Sequence, residues 1–127
     1  MKVLLLTTTP YVFEAVQDRL EHEFRNRGLE IQYMTNGNDA LDLIPIDKRS
    51  VVITDITLPG NSLYSGVLQF GEETKLKRPK CLVILYGLMA DDFTKEEKRK
   101  FNIVLDSRNV ESYQSLFFHL RKAFNRV

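Results

Sequence analysis

The chain has 127 residues, about one domain's length, enough to bury most of its apolar surface around a single core without a disulfide or structural metal. Its 18 basic and 17 acidic side chains leave a formal net charge of +1, which excludes a global electrostatic pull toward nucleic acid or an anionic membrane. The lone cysteine, Cys81, excludes an internal disulfide and heads an apolar run, so it is expected to be a small buried hydrophobe in a reducing cytoplasm. The opening apolar run is too short for a signal-peptide core, and no other stretch approaches a membrane span.

In chain order, Val3-Leu4-Leu5-Leu6 is a continuous apolar run closed by threonines and Pro10, the pattern of a strand covered on both faces. Phe13, Val16, Leu20 and Phe24 then recur at helical spacing until Gly28 stops the helix. Glu30 to Met34 alternates as an edge strand does, and Asn38 to Ile44 predicts a short second helix ended by Pro45. Val51-Val52-Ile53 is the third strand, and the third helix is expected from about Gly66 to Lys77. Leu82 to Leu85 is the fourth strand. Thr94 and Glu97 form a capping-box pair before a highly charged fourth helix. Ile103-Val104-Leu105 is the fifth strand, and the last helix places Tyr113, Leu116, Phe117, Leu120 and Phe124 on one face. Strict alternation predicts an α/β fold in which right-handed crossovers place helices on both faces of a five-stranded parallel sheet, as one domain over 1–127. In such sheets the functional crevice lies at the carboxyl ends of the strands. That singles out Thr7 to Pro10, Asp55 to Asn61, Tyr86 to Met89 and Asp106 to Asn109.

The second of these segments, with the strand before it, carries a resemblance. Val51-Val52-Ile53-Thr54-Asp55, with Pro59 four residues on, resembles the third strand and phosphoacceptor aspartate of the receiver domains of two-component response regulators. Asn36-Gly37-Asn38-Asp39-Ala40-Leu41 resembles the family's segment opening the second helix, and Pro10 matches a common proline after the first strand. The resemblance spans nearly the whole chain and implies a flavodoxin-like three-layer sandwich of strand order 2-1-3-4-5. It also implies signalling through a protein partner such as a histidine kinase or an output domain, or through a second copy of the chain.

The pattern departs from the family at every charged position around Asp55. Where receivers carry acidic residues that hold magnesium, this chain has Thr7-Thr8-Thr9, and neutral hydroxyls replace carboxylates poorly for a hard cation. The magnesium site is therefore expected to be lost. The family's Thr or Ser ending the fourth strand is Tyr86, its lysine ending the fifth is Asp106 or Ser107, and its signalling aromatic is Ile103. Phosphoryl transfer needs fixed positive charge, which an aspartate at the lysine position opposes. Asp55 is thus either an inherited aspartate hydrogen-bonded to neighbouring threonines and loop amides, or a phosphoacceptor served by a histidine kinase. The loop from Pro59 to Gly66 is about three residues longer than the family's by the resemblance, and Asn61, Ser62 and Ser65 read as solvated loop residues.

A second class of function is a flavodoxin-like module binding a small ligand or phosphate, with Thr7-Thr8-Thr9 as its loop; Pro10, lacking an amide proton, and bulky Tyr11 weigh against it. Enzyme readings lack a metal-spaced His/Cys cluster, a nucleophile elbow or a glycine-rich phosphate loop, and His22 and His119 lie in helical patterns far from the strand ends. Lys75, Lys77, Arg78 and Lys80 form a basic run with no interleaved aromatics, so no nucleic-acid role is assigned to it. On the last helix, Phe118 projects about 140° from Tyr113 at 100° per residue, on the outer side with Arg121 and Lys122. With Lys98 and Arg99 of the fourth helix it makes a candidate protein interface, an aromatic with a basic rim.

Overall fold

The computed structural model describes residues 2–57 and 65–125. Five parallel strands form one sheet of order β2-β1-β3-β4-β5: β1 Lys2–Leu6, β2 Glu30–Met34, β3 Ser50–Thr54, β4 Cys81–Gly87 and β5 Ile103–Asp106. The expected α/β architecture and strand order are both present. The helices are α1 Glu14–Phe24, α2 Gly37–Leu43, α3 Ser65–Lys77, α4 Lys95–Lys98 and α5 Val110–Asn125. The reversal of strand order falls at β1 and β3, whose register pairs Leu6 with Thr54 and so carries Thr7 and Asp55 out of the sheet side by side.

Alternation along the central strands divides the core into two layers. Val3, Leu5, Val51, Ile53 and Ile84 pack under α1 and α5, with Phe13, Val16, Leu20, Leu116, Phe117, Leu120 and Phe124 completing that cluster. The Phe24 and Phe124 rings stack at 4.2 Å there, tying the ends of the two helices together. On the other face Leu4, Leu6, Val52, Val83 and Leu85 meet Ala40, Leu41, Val67, Phe70 and Phe101. Cys81 belongs to this second layer, and burial pushes its thiol up to about 11.

Several elements differ from the sequence-based expectations. Pro10–Phe13 is a 3-10 turn, so the first helix proper begins one residue after Phe13. Ser65, expected in a solvated loop, is half-buried as the first residue of α3. The fourth helix is a single turn. Its capping box is complete, the Thr94 hydroxyl accepting from the Glu97 amide while the Glu97 carboxylate accepts from the Thr94 amide. It ends because Phe101 turns inward against Gly71 of α3, where a Cβ would lie 2.7 Å from the Phe101 ring. Pro59, Gly60, Asn61 and Ser62 lie outside the described residues.

Candidate functional site

Asp55 follows β3 directly and is 5% exposed. Its Oδ2 accepts a hydrogen bond from the Thr7 hydroxyl at 2.8 Å, and its Oδ1 accepts from the Thr57 hydroxyl at 2.7 Å and the Thr57 amide at 3.1 Å. The Thr57 contacts are the turn that an aspartate at a strand end commonly makes with the backbone two residues on. Thr7 is fully buried, and its oxygen also accepts from the Thr9 amide at 3.0 Å. Thr8 is exposed; its amide donates to the Thr57 hydroxyl at 3.1 Å and its own hydroxyl donates to the Thr57 carbonyl at 3.2 Å. Thr7, Thr8 and Thr57 therefore stitch the β1 and β3 ends to each other, and the Thr9 hydroxyl contacts that of Thr7 at 3.2 Å. Thr57 lies within the Asp55 to Asn61 segment that the sequence singles out, but its own role there is not assigned from sequence; the signal for it is a hydroxyl two residues after a strand-ending aspartate.

This donor set does not fit magnesium. A hard divalent cation demands several charged or carbonyl oxygens, and here one carboxylate stands among hydroxyls already committed to each other. Among the described residues no group of three or more His, Cys, Asp or Glu side chains is placed to hold a metal ion. The loop is closed to a phosphate as well, since the amides of Thr7, Thr8 and Thr9 donate to the Met34 carbonyl, the Thr57 hydroxyl and the Thr7 hydroxyl.

The strand-end positions on β4 and β5 complete the crevice. Gly87 sits so close to Asp55 that a Cβ there would lie 3.2 Å from the Asp55 Cβ, which explains a glycine after Tyr86. Tyr86 is half-buried against the α1/α5 layer, and burial raises its phenol's pKa. Asp106 is 1% exposed but is not a bare anion. Its oxygens accept from Arg108 Nε at 3.0 Å, from the Arg108 amide at 2.9 Å and from the Asp91 amide at 3.1 Å, besides an ion pair of 2.6 Å to Arg108 Nη2. The Arg108 guanidinium holds the Asp106 carboxyl well below the usual carboxylate range. A cation is thus present at the β5 end, one or two residues beyond Asp106 or Ser107, where the resemblance places the family's lysine, and Asp106 and Asp92 both pair with it.

The candidate interface residues are only partly brought together. Phe118 is 51% exposed, as its helical register predicted, and Lys122 Nζ stands 4.6 Å from its ring centroid. Arg121 instead forms an ion pair with Glu23 of α1, so it faces the first helix. Lys98 is the last residue of the single-turn α4 and Arg99 its C-cap, and α3 lies against them: Lys100 pairs with Glu72 at 2.9 Å, and Lys75 donates to the Arg99 carbonyl at 2.6 Å. His22 is exposed and His119 half-buried, both away from the crevice.

No protein-family model and no curated protein matches the sequence. Solved structures do match over nearly the full length. The response regulator TrrA of Thermotoga maritima, in complex with Mg–BeF, is 21% identical over 96% of this chain and 97% of its own, with a TM-score of 0.72. A response regulator receiver domain from Clostridium thermocellum is 21% identical over 98% and 94%, with a TM-score of 0.71. The chain has the receiver fold. The non-phosphorylated HemR receiver domain of Leptospira biflexa superposes with a TM-score of 0.70 at only 14% identity over 97% of this chain and 93% of its own. Identity at this level establishes the fold; what the crevice does is decided by its own side chains. Among the described residues no helix is long and apolar enough to cross a membrane.

Proposed function

We propose that this chain is a receiver-fold module of two-component signalling that works in the cytoplasm by protein contact, without phosphorylation of Asp55 and without enzymatic turnover of its own. The observation that supports it is the state of Asp55: both carboxylate oxygens are engaged by Thr7 and Thr57, and among the described residues no group of three or more His, Cys, Asp or Glu side chains is placed to hold a metal. A phosphoryl group on Asp55 would need compensating positive charge at its oxygens, yet the cation at the β5 end, Arg108, is engaged with Asp106 and Asp92. The histidine kinase ThkA has been seen in complex with TrrA, which is 23% identical to this chain over 96% of it and 97% of TrrA in that structure, with a TM-score of 0.70. A protein partner of that kind, or a second copy of the chain meeting Phe118 and Lys122, fits the reading.

The test is exposure to acetyl phosphate, and separately to beryllofluoride, each with magnesium. Intact mass and amide spectra are expected to stay unchanged. A stoichiometric phosphoryl adduct that disappears in Asp55→Asn would overturn the reading and make Asp55 a working phosphoacceptor.

A further inference from the structure

The crevice holds a carboxylate with no counter-charge. Among the described residues no lysine, arginine or histidine pairs with Asp55, although it is 5% exposed, and residues 58–64, which follow Thr57 closely, contain no basic residue. Buried carboxylates are as a rule paired with a cation as well as hydrogen-bonded. Three neutral donors occupy most of the acceptor sites of Asp55, and no cation among the described residues compensates its charge. Next to it opens a cavity of about 270 Å³ whose walls are mainly apolar: Tyr11, Val12, Phe13, Ile56, Tyr86 and Leu88 line it together with Asp55. Tyr11 and Leu88 at this cavity are 70% and 59% exposed, more than large apolar side chains of a closed crevice would be.

An apolar sleeve beside an unpaired anion fits one kind of occupant, an unbranched aliphatic stem carrying a cation at its tip. Such a group keeps its methylenes against the walls and delivers its charge to the carboxylate. We infer that this cavity is a docking pocket for a lysine or arginine side chain of a protein partner, which pairs with Asp55. Among the three hydroxyl and amide donors already on Asp55, none has to be displaced, because a carboxylate offers about four acceptor sites and three are in use. The inference rests on the reading of Asp55 as an unphosphorylated carboxylate, and gives the protein-contact function a specific contact.

The experiment is an amide NMR titration of the intact chain with N-acetyl-lysine N-methylamide, alongside the uncharged N-acetyl-norleucine N-methylamide and magnesium chloride alone. Saturable shifts at Ile56, Thr57 and Gly87 are expected with the lysine probe, at least ~10-fold tighter than with norleucine. Asp55→Asn should abolish that preference. Leu88→Ser, a change at an exposed wall position, should weaken the lysine probe with Asp55 intact, and it keeps the test decisive should Asp55→Asn fail to fold. Equal shifts with norleucine, a lysine preference that survives Asp55→Asn, no shifts at all, or displacement of the lysine probe by magnesium would each overturn the inference. Beryllofluoride added to the same sample separates the failures: its binding at Asp55 defeats the phosphorylation-independent function, whereas a silent lysine titration without it defeats the docking pocket alone.

Discussion

Replacing Thr7 by valine keeps the shape of a fully buried side chain and removes the one oxygen that binds Asp55. That oxygen donates to a carboxylate at 2.8 Å and accepts from the Thr9 amide at 3.0 Å. A hydrogen bond to a charged group contributes about 1.5–3 kcal/mol, and stranding a buried acceptor costs at the upper end of that range or beyond. With Asp55 only 5% exposed, water cannot readily substitute, and Thr7→Val should destabilise the fold by about 2–4 kcal/mol. For a domain of this size that lowers the Tm by roughly 8–15 °C. On an Asp55→Asn background the acceptor is neutral, so the same change should cost only about 1 kcal/mol, leaving a coupling of about 1–3 kcal/mol between the two sites. Urea unfolding of the four proteins, read at constant m-value, measures both numbers. A Thr7→Val protein within about 0.5 kcal/mol of the parent, or strict additivity with Asp55→Asn, would refute the claim that the threonines hold Asp55 in place.

Two further outcomes follow from neighbouring groups. The Arg108 guanidinium keeps the Asp106 carboxyl below its ordinary value, so in acid the unfolded chain takes up this proton before the folded one does. The stabilisation is complete above the unfolded value of about 3.9 and is lost as pH falls through the lower folded value. Stability relative to Asp106→Asn should accordingly shrink from about pH 4 downward, and a difference that stays constant through this window in acid denaturation would refute the pairing. On the outer face of α5, Phe118→Ala should leave folding within about 1 kcal/mol of the parent because the ring is half exposed, while weakening partner binding or self-association by at least about 1 kcal/mol if the ring is an anchor. Sedimentation and pulldown, beside thermal melts, read the two effects. Lys122→Glu is a cleaner companion than Arg121→Glu, which would also break the pair with Glu23.

Four strands were legible because each holds an unbroken apolar run, as a parallel sheet buried on both faces asks, and β2 was legible from the alternation of an edge strand. Their limits shifted by one or two residues where polar ends such as Ser50 and Thr54 are buried in the ladder. The Thr94/Glu97 capping box announced where α4 starts, but not that it lasts one turn, because the stop comes from Phe101 packing against Gly71 of a distant helix. In the crevice, the proximity of Thr7 to Asp55 was readable from strand order. The fold-back of Arg108 onto Asp106 was not, since it depends on a turn after β5 rather than on the strand. Ring position on α5 was predictable from helical geometry, whereas the engagement of Arg121 with α1 required knowing which helix lies beside it.

Cys81 has a chemical consequence that reaches beyond packing. Buried and with its thiol pushed up to about 11, it holds almost no thiolate at neutral pH, and thiolate is the species that alkylating reagents and peroxides attack. A cysteine introduced on the surface, for instance Leu88→Cys at the pocket mouth, would therefore react alone, so a fluorophore or spin label can be seated beside Asp55 with the native thiol left untouched.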